Sequence, residues 1–196
     1  GEKRGLIPNA QFYDKAYRGR WNGLTVISIA IGQGEILATP LQIANLGATI
    51  ANRGHFITPH IVKEIQDEQL DSIYRVPRKT SIDRKHYEDV VTGMRAAVTG
   101  GTCRVAGAIL PDVEVCGKTG TAQESQKRGN HAFFISFAPY ENPEISVTVS
   151  IPNGYSSSNA AMVAKHVYRY FYGYASLDDI LNSGALDASN ERINGD

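Results

Sequence analysis

Residues 113–151 read VEVCGKTGTAQESQKRGNHAFFISFAPYENPEISVTVSI, and their hydrophobic pattern is typical of strands rather than helices. Three apolar segments predict strands, at 113–121, 132–138 and 145–151. The intervening PYENPE, residues 139–144, combines proline, asparagine and acidic side chains and predicts a hairpin connection. The stretch therefore predicts an antiparallel three-strand meander.

Helices are predicted on either side of this meander in the sequence. The three segments with helical spacing of apolar residues are 40–51, 83–98 and 160–172. Thr39 can cap the first helix, with Pro40 in its first position, and Gly54 ends it. Asp83 is the expected cap of the second, and the Ser157-Ser158-Asn159 sequence that of the third. Helices segregated from an antiparallel sheet predict an α+β fold.

The remaining segments show weaker patterns. Residues 1–24 are rich in glycine, aromatic and charged residues and predict an irregular, extended arm, residues 60–65 predict a strand or extended segment, and 67–80 a polar connection. No internal domain boundary is evident. We expect one domain portion over 1–183 and a flexible tail over 184–196.

The composition excludes several classes of function. Of 196 residues, 42% are hydrophobic and 20% charged, with 20 basic and 20 acidic side chains. This balance gives no long-range attraction to nucleic acid or anionic membranes. Cys103 and Cys116 have no metal-binding or redox spacing, and we expect both to be free thiols. No apolar run approaches the ~20 residues of a spanning helix, so we expect the chain itself to be soluble.

The first predicted strand carries Lys118-Thr119-Gly120-Thr121, which suits recognition of a peptide terminus. A peptide can lie antiparallel along an open strand edge, and glycine removes the side chain that blocks close approach of a backbone. The two threonine hydroxyls can donate to a terminal carboxylate, and the lysine adds a positive charge. Gln123, two residues further on, is also placed to touch the substrate. The following Glu124, Lys127 and Arg128 are expected on a solvated loop.

Several motifs around this strand resemble the class B penicillin-binding proteins, and among these the penicillin-binding protein 2 group. The matching segments keep the order and spacing of that family. They are IGQG at 31–34, TPLQ at 39–42, ANRG at 51–54, GKTGTAQ at 117–123 and FFISFAP at 133–139. Trp21-Asn22-Gly23 adds to the resemblance, which covers almost the whole chain apart from the tail.

The resemblance implies a fold and an activity. The expected fold is the C-terminal part of a penicillin-binding transpeptidase, or serine β-lactamase-like, domain. The implied activity is D,D-transpeptidation, in which serine acyl transfer at D-Ala-D-Ala cross-links peptidoglycan stem peptides, with acylation by β-lactams and no metal or organic cofactor. The implied catalytic groups are Lys118 and the backbone N–H of Thr121, an oxyanion donor. Thr119, Gly120, Thr121 and Gln123 are the implied substrate-binding residues.

The resemblance also implies a location and partners for the whole protein. We expect anchoring at the periplasmic face of the inner membrane by an N-terminal helix, and contact with the cell-elongation machinery. The family's sheet has five strands, of which this chain can supply three. The strand at 145–151 is therefore expected to present an unpaired edge that favours self-association.

The family's nucleophile is missing from this sequence. It is the serine of a Ser-x-x-Lys motif, and none of the serines here is followed by lysine at the third position. Ser157-Ser158-Asn159 matches the second family motif, Ser-x-Asn, but it follows the Lys-Thr-Gly segment instead of preceding it, and a helix cap explains it. We therefore expect a C-terminal fragment without activity of its own.

Two other functions fit parts of this pattern. A serine β-lactamase or a carboxypeptidase uses the same strand motif, although the IGQG and FFISFAP segments argue against a β-lactamase. A non-catalytic module that recognises or senses penicillin is the alternative that the missing nucleophile favours.

Overall fold

The computed structural model describes residues 3–107, 110–124 and 127–187. The chain forms two compact units, one ending at Gln42 and the other beginning at Ile43. The sequence had predicted no internal boundary, because the division falls inside a continuous helix, at 40–51, where no change of composition marks it.

The first unit contains two short helices, and the first of them lies within 1–24, so the prediction of an irregular arm there was wrong. They are α1, Ala10–Tyr17, and α2, Gly23–Ala30. The side chain of Asn9 accepts a hydrogen bond from the N–H of Phe12, and Asn22 caps α2 in the same way. Asparagine caps of this kind stabilise a helix start. Eight residues are too few to show a clear period in the sequence.

The predicted cap at Thr39 is confirmed and belongs to a reciprocal capping box. Helix α3 spans Pro40–Ala51. Thr39 Oγ1 accepts from the N–H of Gln42 at 3.2 Å, and Gln42 Oε1 accepts from the N–H of Thr39 at 2.9 Å. The remaining amide of Gln42 donates to the Arg4 carbonyl at 2.9 Å, which fastens the N-terminal segment. The helix ends at Ala51, and the glycine predicted to stop it, Gly54, has a φ of +104°.

The second unit holds the remaining helices and the sheet. In chain order its elements are β1 His55–Phe56, α4 Ser72–Arg75, β2 Arg78–Lys79, α5 Arg84–Thr99, α6 Arg104–Gly107, β3 Cys116–Ala122, β4 His131–Ala138, β5 Ile145–Ile151, α7 Ser157–Phe171 and α8 Leu177–Asp187. The meander, the long helices and the α+β class are confirmed. Helix α8 continues to Asp187, beyond the predicted start of the tail, and 188–196 lie outside the described residues.

The region before α5 differs from its prediction. The strand proposed as one reading of 60–65 is absent from the described residues, where Ile65 makes only an isolated bridge with Glu68. The strands lie instead at β1 and β2, which pair with each other. Two-residue strands carry too little pattern to be recognised in a sequence.

The main sheet has the order β3-β4-β5, and both of its pairings are antiparallel. Strand β4 is central, and within the described residues β3 and β5 form the two edges. Lys118 lies opposite Ile135, and Thr121 opposite Ala132. This register fixes the position of the motif along the edge.

Helices cover both faces of this sheet. Phe134 belongs to an apolar cluster that joins α6 and α7 to the sheet, whereas Phe137 belongs to a second cluster with residues of α3 and α5. Side chains three apart in a strand point to opposite faces, so the two clusters lie on opposite sides. Both phenylalanines are fully buried.

Several apolar residues of the predicted helices face the solvent instead of the core. Val90 of α5 is 47% exposed, and Val163, Val167 and Phe171 of α7 are exposed as well. The face of α7 that packs on the sheet is formed by Ala160, Ala161, Ala164 and Tyr168. Tyr168 donates a hydrogen bond from its hydroxyl to Ser136 Oγ at 2.8 Å, and this buried contact orients the helix.

The capping predictions for α5 and α7 need correction as well. Asp83 precedes α5, but its side chain makes no capping hydrogen bond. The cap of α7 is Ser156, which accepts from the N–H of Ser158, one residue earlier than the expected Ser157-Ser158-Asn159 sequence. Asn159 instead donates from its side chain to the Gly154 carbonyl.

Substitutions of Gln42 are expected to separate its two contacts. Gln42→Ala removes both the capping acceptor and the donor to Arg4, and we expect it to lower the free energy of unfolding by about 1–2 kcal/mol. Gln42→Glu keeps the acceptor and adds a favourable charge at the helix start, so its loss is expected to be about half as large. Urea unfolding measures both losses. Equal losses would mean that the capping acceptor contributes nothing, and no loss in Gln42→Glu would mean that the donor to Arg4 contributes nothing.

Candidate functional site

The motif residues lie in the middle of β3, on the edge of the sheet. Alternation places Lys118 and Gly120 on one face of the strand and Thr119 and Thr121 on the other. Lys118 and Thr121 are exposed, Gly120 is half-buried, and Thr119 is only 9% exposed. The structure thus brings three of the four residues to the surface and turns the fourth inward.

The outer edge of β3 is open to a further strand. Among the described residues, no strand pairs with β3 other than β4. In an antiparallel ladder, alternate residues of an edge strand direct their N–H and C=O groups away from the sheet. The Lys118 ammonium donates to the carbonyl oxygen of Thr119, so the lysine lies along its own strand and places its charge beside the backbone.

A residue outside the motif contacts it directly. Thr102 Oγ1 lies 3.2 Å from Thr119 Oγ1, and one hydroxyl donates to the other. Thr102 is exposed, so it connects the buried hydroxyl with the surface. Thr102 was not among the predicted site residues, because no sequence pattern links it with a strand residue 17 positions later.

Two glycines of β3 have different structural roles. A Cβ atom at Gly117 would lie 2.4 Å from Cζ of the buried Phe134, so the packing of the sheet requires glycine there. A Cβ atom at Gly120 would meet Phe133 at 3.4 Å, an ordinary contact. The described neighbours therefore leave room for a side chain at Gly120. Its lack of one leaves the space open to a ligand backbone.

The residues that follow β3 are partly anchored. Gln123, the last predicted substrate contact, is exposed. Glu124 is exposed, as expected for a solvated loop, and its carboxylate accepts a hydrogen bond from Nε2 of His131 at 3.2 Å. Arg128 Nη1 lies 3.9 Å from the same carboxylate.

Neither cysteine provides an alternative nucleophile. Both are free, as predicted, and both are buried. Burial raises the pKa of the Cys116 thiol to about 12, although the charges of Arg53 and Arg95 act in the opposite direction. A thiol of this kind stays protonated at neutral pH and is a poor nucleophile. In the part of the chain that the structure describes, no group of His, Cys, Asp or Glu side chains is arranged to hold a metal ion.

An edge strand that carries Lys-Thr-Gly in a sheet covered by helices is a feature of the serine enzymes that react with penicillin. The family model described as the penicillin binding protein transpeptidase domain matches residues 2–169. The chain belongs to this family.

Individual relatives agree with this assignment. Peptidoglycan D,D-transpeptidase MrdA of Acinetobacter baumannii is 32% identical over 188 residues, which cover 87% of this chain. The crystal structure of Pseudomonas aeruginosa PBP2 in complex with WCK 5153 matches with a TM-score of 0.76 and 38% identity, covering 87% of this chain and 39% of that one. Helicobacter pylori PBP2 in its complex with MreC matches with a TM-score of 0.72 and 28% identity, over 89% of this chain and 32% of that one.

The match covers only part of these proteins. The chain spans 28% of the length of the Acinetobacter relative. The activity and partners of a whole protein therefore enter below as proposals.

Alanine substitutions at the two glycines form a matched pair. Gly117→Ala is expected to destabilise the fold by about 1–3 kcal/mol, because its methyl group overlaps Phe134. Gly120→Ala is expected to change the free energy of unfolding by less than about 0.5 kcal/mol. Chemical unfolding of the two variants tests this. A large loss in Gly120→Ala would mean that the fold, and not a ligand, requires this glycine.

Proposed function

We propose that this chain is part of a peptidoglycan D,D-transpeptidase that cross-links stem peptides by serine acyl transfer. The observation that carries the proposal is the Lys118-Thr119-Gly120-Thr121 sequence on the open edge of β3. The name and the 32% identity of the MrdA relative support the choice of reaction.

The edge suits a substrate that ends in D-Ala-D-Ala. Its backbone lies antiparallel to β3, close to Gly120, and its carboxylate accepts hydrogen bonds from the exposed Thr121 hydroxyl and from the Thr102–Thr119 hydroxyl pair. Lys118 supplies a positive charge. Gln123, exposed at the end of the strand, contacts the peptide further along. β-Lactams carry an equivalent carboxylate and occupy the same edge.

The chemistry requires a serine that lies outside this sequence. In the proposed reaction its hydroxyl loses a proton and its oxygen attacks the carbonyl between the two D-alanines. The backbone N–H of Thr121 stabilises the oxyanion that forms, a contribution of ~3 kcal/mol for a typical donor of this kind. The C–N bond then breaks and D-alanine leaves with a proton. An amine of a neighbouring stem peptide takes the acyl group and releases the serine.

The whole protein is proposed to act at the periplasmic face of the inner membrane, together with the cell-elongation machinery. The Helicobacter relative was solved in a complex with MreC, which supports this partnership. Within the described residues, no helix has the length and apolar character needed to cross a membrane. The anchor of the whole protein is proposed to be an N-terminal helix, as the resemblance to the family implies.

A non-catalytic penicillin-recognising module is the second candidate. The lack of a Ser-x-x-Lys motif among these 196 residues favours it. In both candidate functions the outer edge of β3 binds the ligand. The two candidates differ in whether the whole protein contributes a nucleophile.

Fluorescent penicillin distinguishes the two candidates. We expect it to label the whole protein covalently and to leave the 196-residue chain unlabelled. Lys118→Ala in the whole protein is expected to slow acylation about 10- to 100-fold, because a charged contact is lost. Lys85→Ala, an exposed lysine on α5, is the matched control and is expected to change the rate less than twofold. An unlabelled whole protein would favour the module, and labelling of the chain would contradict the missing nucleophile.

The outer edge of β5 is proposed to mediate self-association of the isolated chain. In the described part of the chain, β5 pairs only with β4, and an unpaired edge can add a strand from a second copy. Sedimentation should show a concentration-dependent dimer. Ser150→Lys places a charge on this strand and is expected to give a monomer, while Ser150→Thr stays dimeric. A monomeric parent chain at all concentrations would exclude this association.

A further inference from the structure

We propose that His131 is a positioning residue for the end of the substrate edge, because it holds the segment that follows β3 through the Glu124 carboxylate. The proposal rests on the function proposed above and concerns Gln123 in particular. His131 is the first residue of β4, lies opposite Ala122, and has a side chain that is 24% exposed.

The two ring nitrogens of His131 have different partners. Nε2 lies 3.2 Å from Glu124 Oε2, and Nδ1 lies 3.1 Å from the backbone nitrogen of Asn153. The N–H of Asn153 can only donate, so Nδ1 must accept and carry no proton. The proton of the neutral ring is therefore on Nε2, where it is donated to Glu124. The backbone of the turn that contains Asn153 thus selects the His131 tautomer that donates to Glu124.

The turn that selects this tautomer is itself held firmly. Asn153 and Tyr155 have φ values of +53° and +61°, a conformation that residues other than glycine adopt only when their surroundings impose it. The N–H of Tyr155 donates to the Asn130 carbonyl at 2.9 Å, and the Asn159 side chain donates to the Gly154 carbonyl at 2.8 Å. The donor that faces Nδ1 is therefore fixed in place.

The contact between His131 and Glu124 also restricts the preceding residue, Gln123. Gln123 follows β3 directly and lies on the surface, where side-chain entropy opposes a single orientation. Anchoring Glu124 to His131 fixes the backbone on the far side of Gln123, while β3 fixes it on the near side. The glutamine is thereby held at the end of the substrate edge without a contact of its own.

Two isosteric substitutions separate the contacts of His131. Gln carries an amide nitrogen near the position of Nε2, so His131→Gln keeps the donor to Glu124. Asn carries an amide oxygen near the position of Nδ1, so His131→Asn keeps only the contact with Asn153. Both substitutions remove the imidazole, which makes each the control for the other.

The variants are to be compared in the whole protein by two measurements. Amide hydrogen exchange is followed in the peptide that contains Gln123 and Glu124, and the acylation rate is measured with fluorescent penicillin. We expect His131→Asn to accelerate exchange and to slow acylation, each about fivefold. His131→Gln and Glu124→Gln, which keep a donor and an acceptor respectively, are expected to stay within twofold of the parent.

The two measurements distinguish a failure of the anchoring, of the positioning role and of the proposed function. Equal exchange in the two His131 variants would overturn the anchoring, and accelerated exchange with an unchanged acylation rate would overturn the positioning role. If the parent protein is not acylated at all, the proposed function fails, and the exchange measurement still decides whether His131 anchors Glu124.

Discussion

The second unit depends on one strand, β4, which is paired along both edges and covered on both faces. Its eight residues, His131–Ala138, hydrogen-bond to β3 on one side and to β5 on the other. Phe134 and Phe137 point to opposite faces and enter separate apolar clusters. A strand enclosed in this way cannot shift its register by one residue without moving Phe134 and Phe137 out of their clusters. The positions of β3 and all motif residues follow from it.

Because β4 is fixed in this way, the outer edge of β3 is the side of the strand that is open to a ligand. The inner edge is occupied by β4, and helices pack on both faces of the sheet. Packing also distinguishes the two glycines of the strand: Gly117 faces Phe134 at the core, whereas Gly120 has space beside it. A rigid edge with exposed backbone groups offers preorganised donors, which lose little entropy when a peptide binds.

The sequence predicted the parts of the fold that depend on local pattern. The strands at 131–138 and 145–151 and the cap at Thr39 are recognisable because apolar runs and capping residues act over a few positions. The faces of α7 were harder to predict, because its valines and its alanines lie on different sides and either set could face a sheet. The alanine side is buried because Tyr168 finds Ser136 as a partner across 32 residues of sequence. No local pattern contains that contact.

The residues of the candidate site also divide into those that a local sequence pattern reveals and those that only the fold brings together. Lys118, Thr119, Gly120 and Thr121 are adjacent in the sequence, so a motif reveals them together. Thr102 reaches Thr119 only through the fold, as His131 reaches Glu124 and Asn153. Both contacts hold a polar group in place beside the edge, the first through a hydroxyl pair and the second through the two ring nitrogens of His131. A surface that binds carboxylates and peptide amides requires donors in fixed places, because an unmatched polar group costs more than a good hydrogen bond contributes. For the proposed function, the residues that fix those donors therefore matter as much as those proposed to touch the ligand.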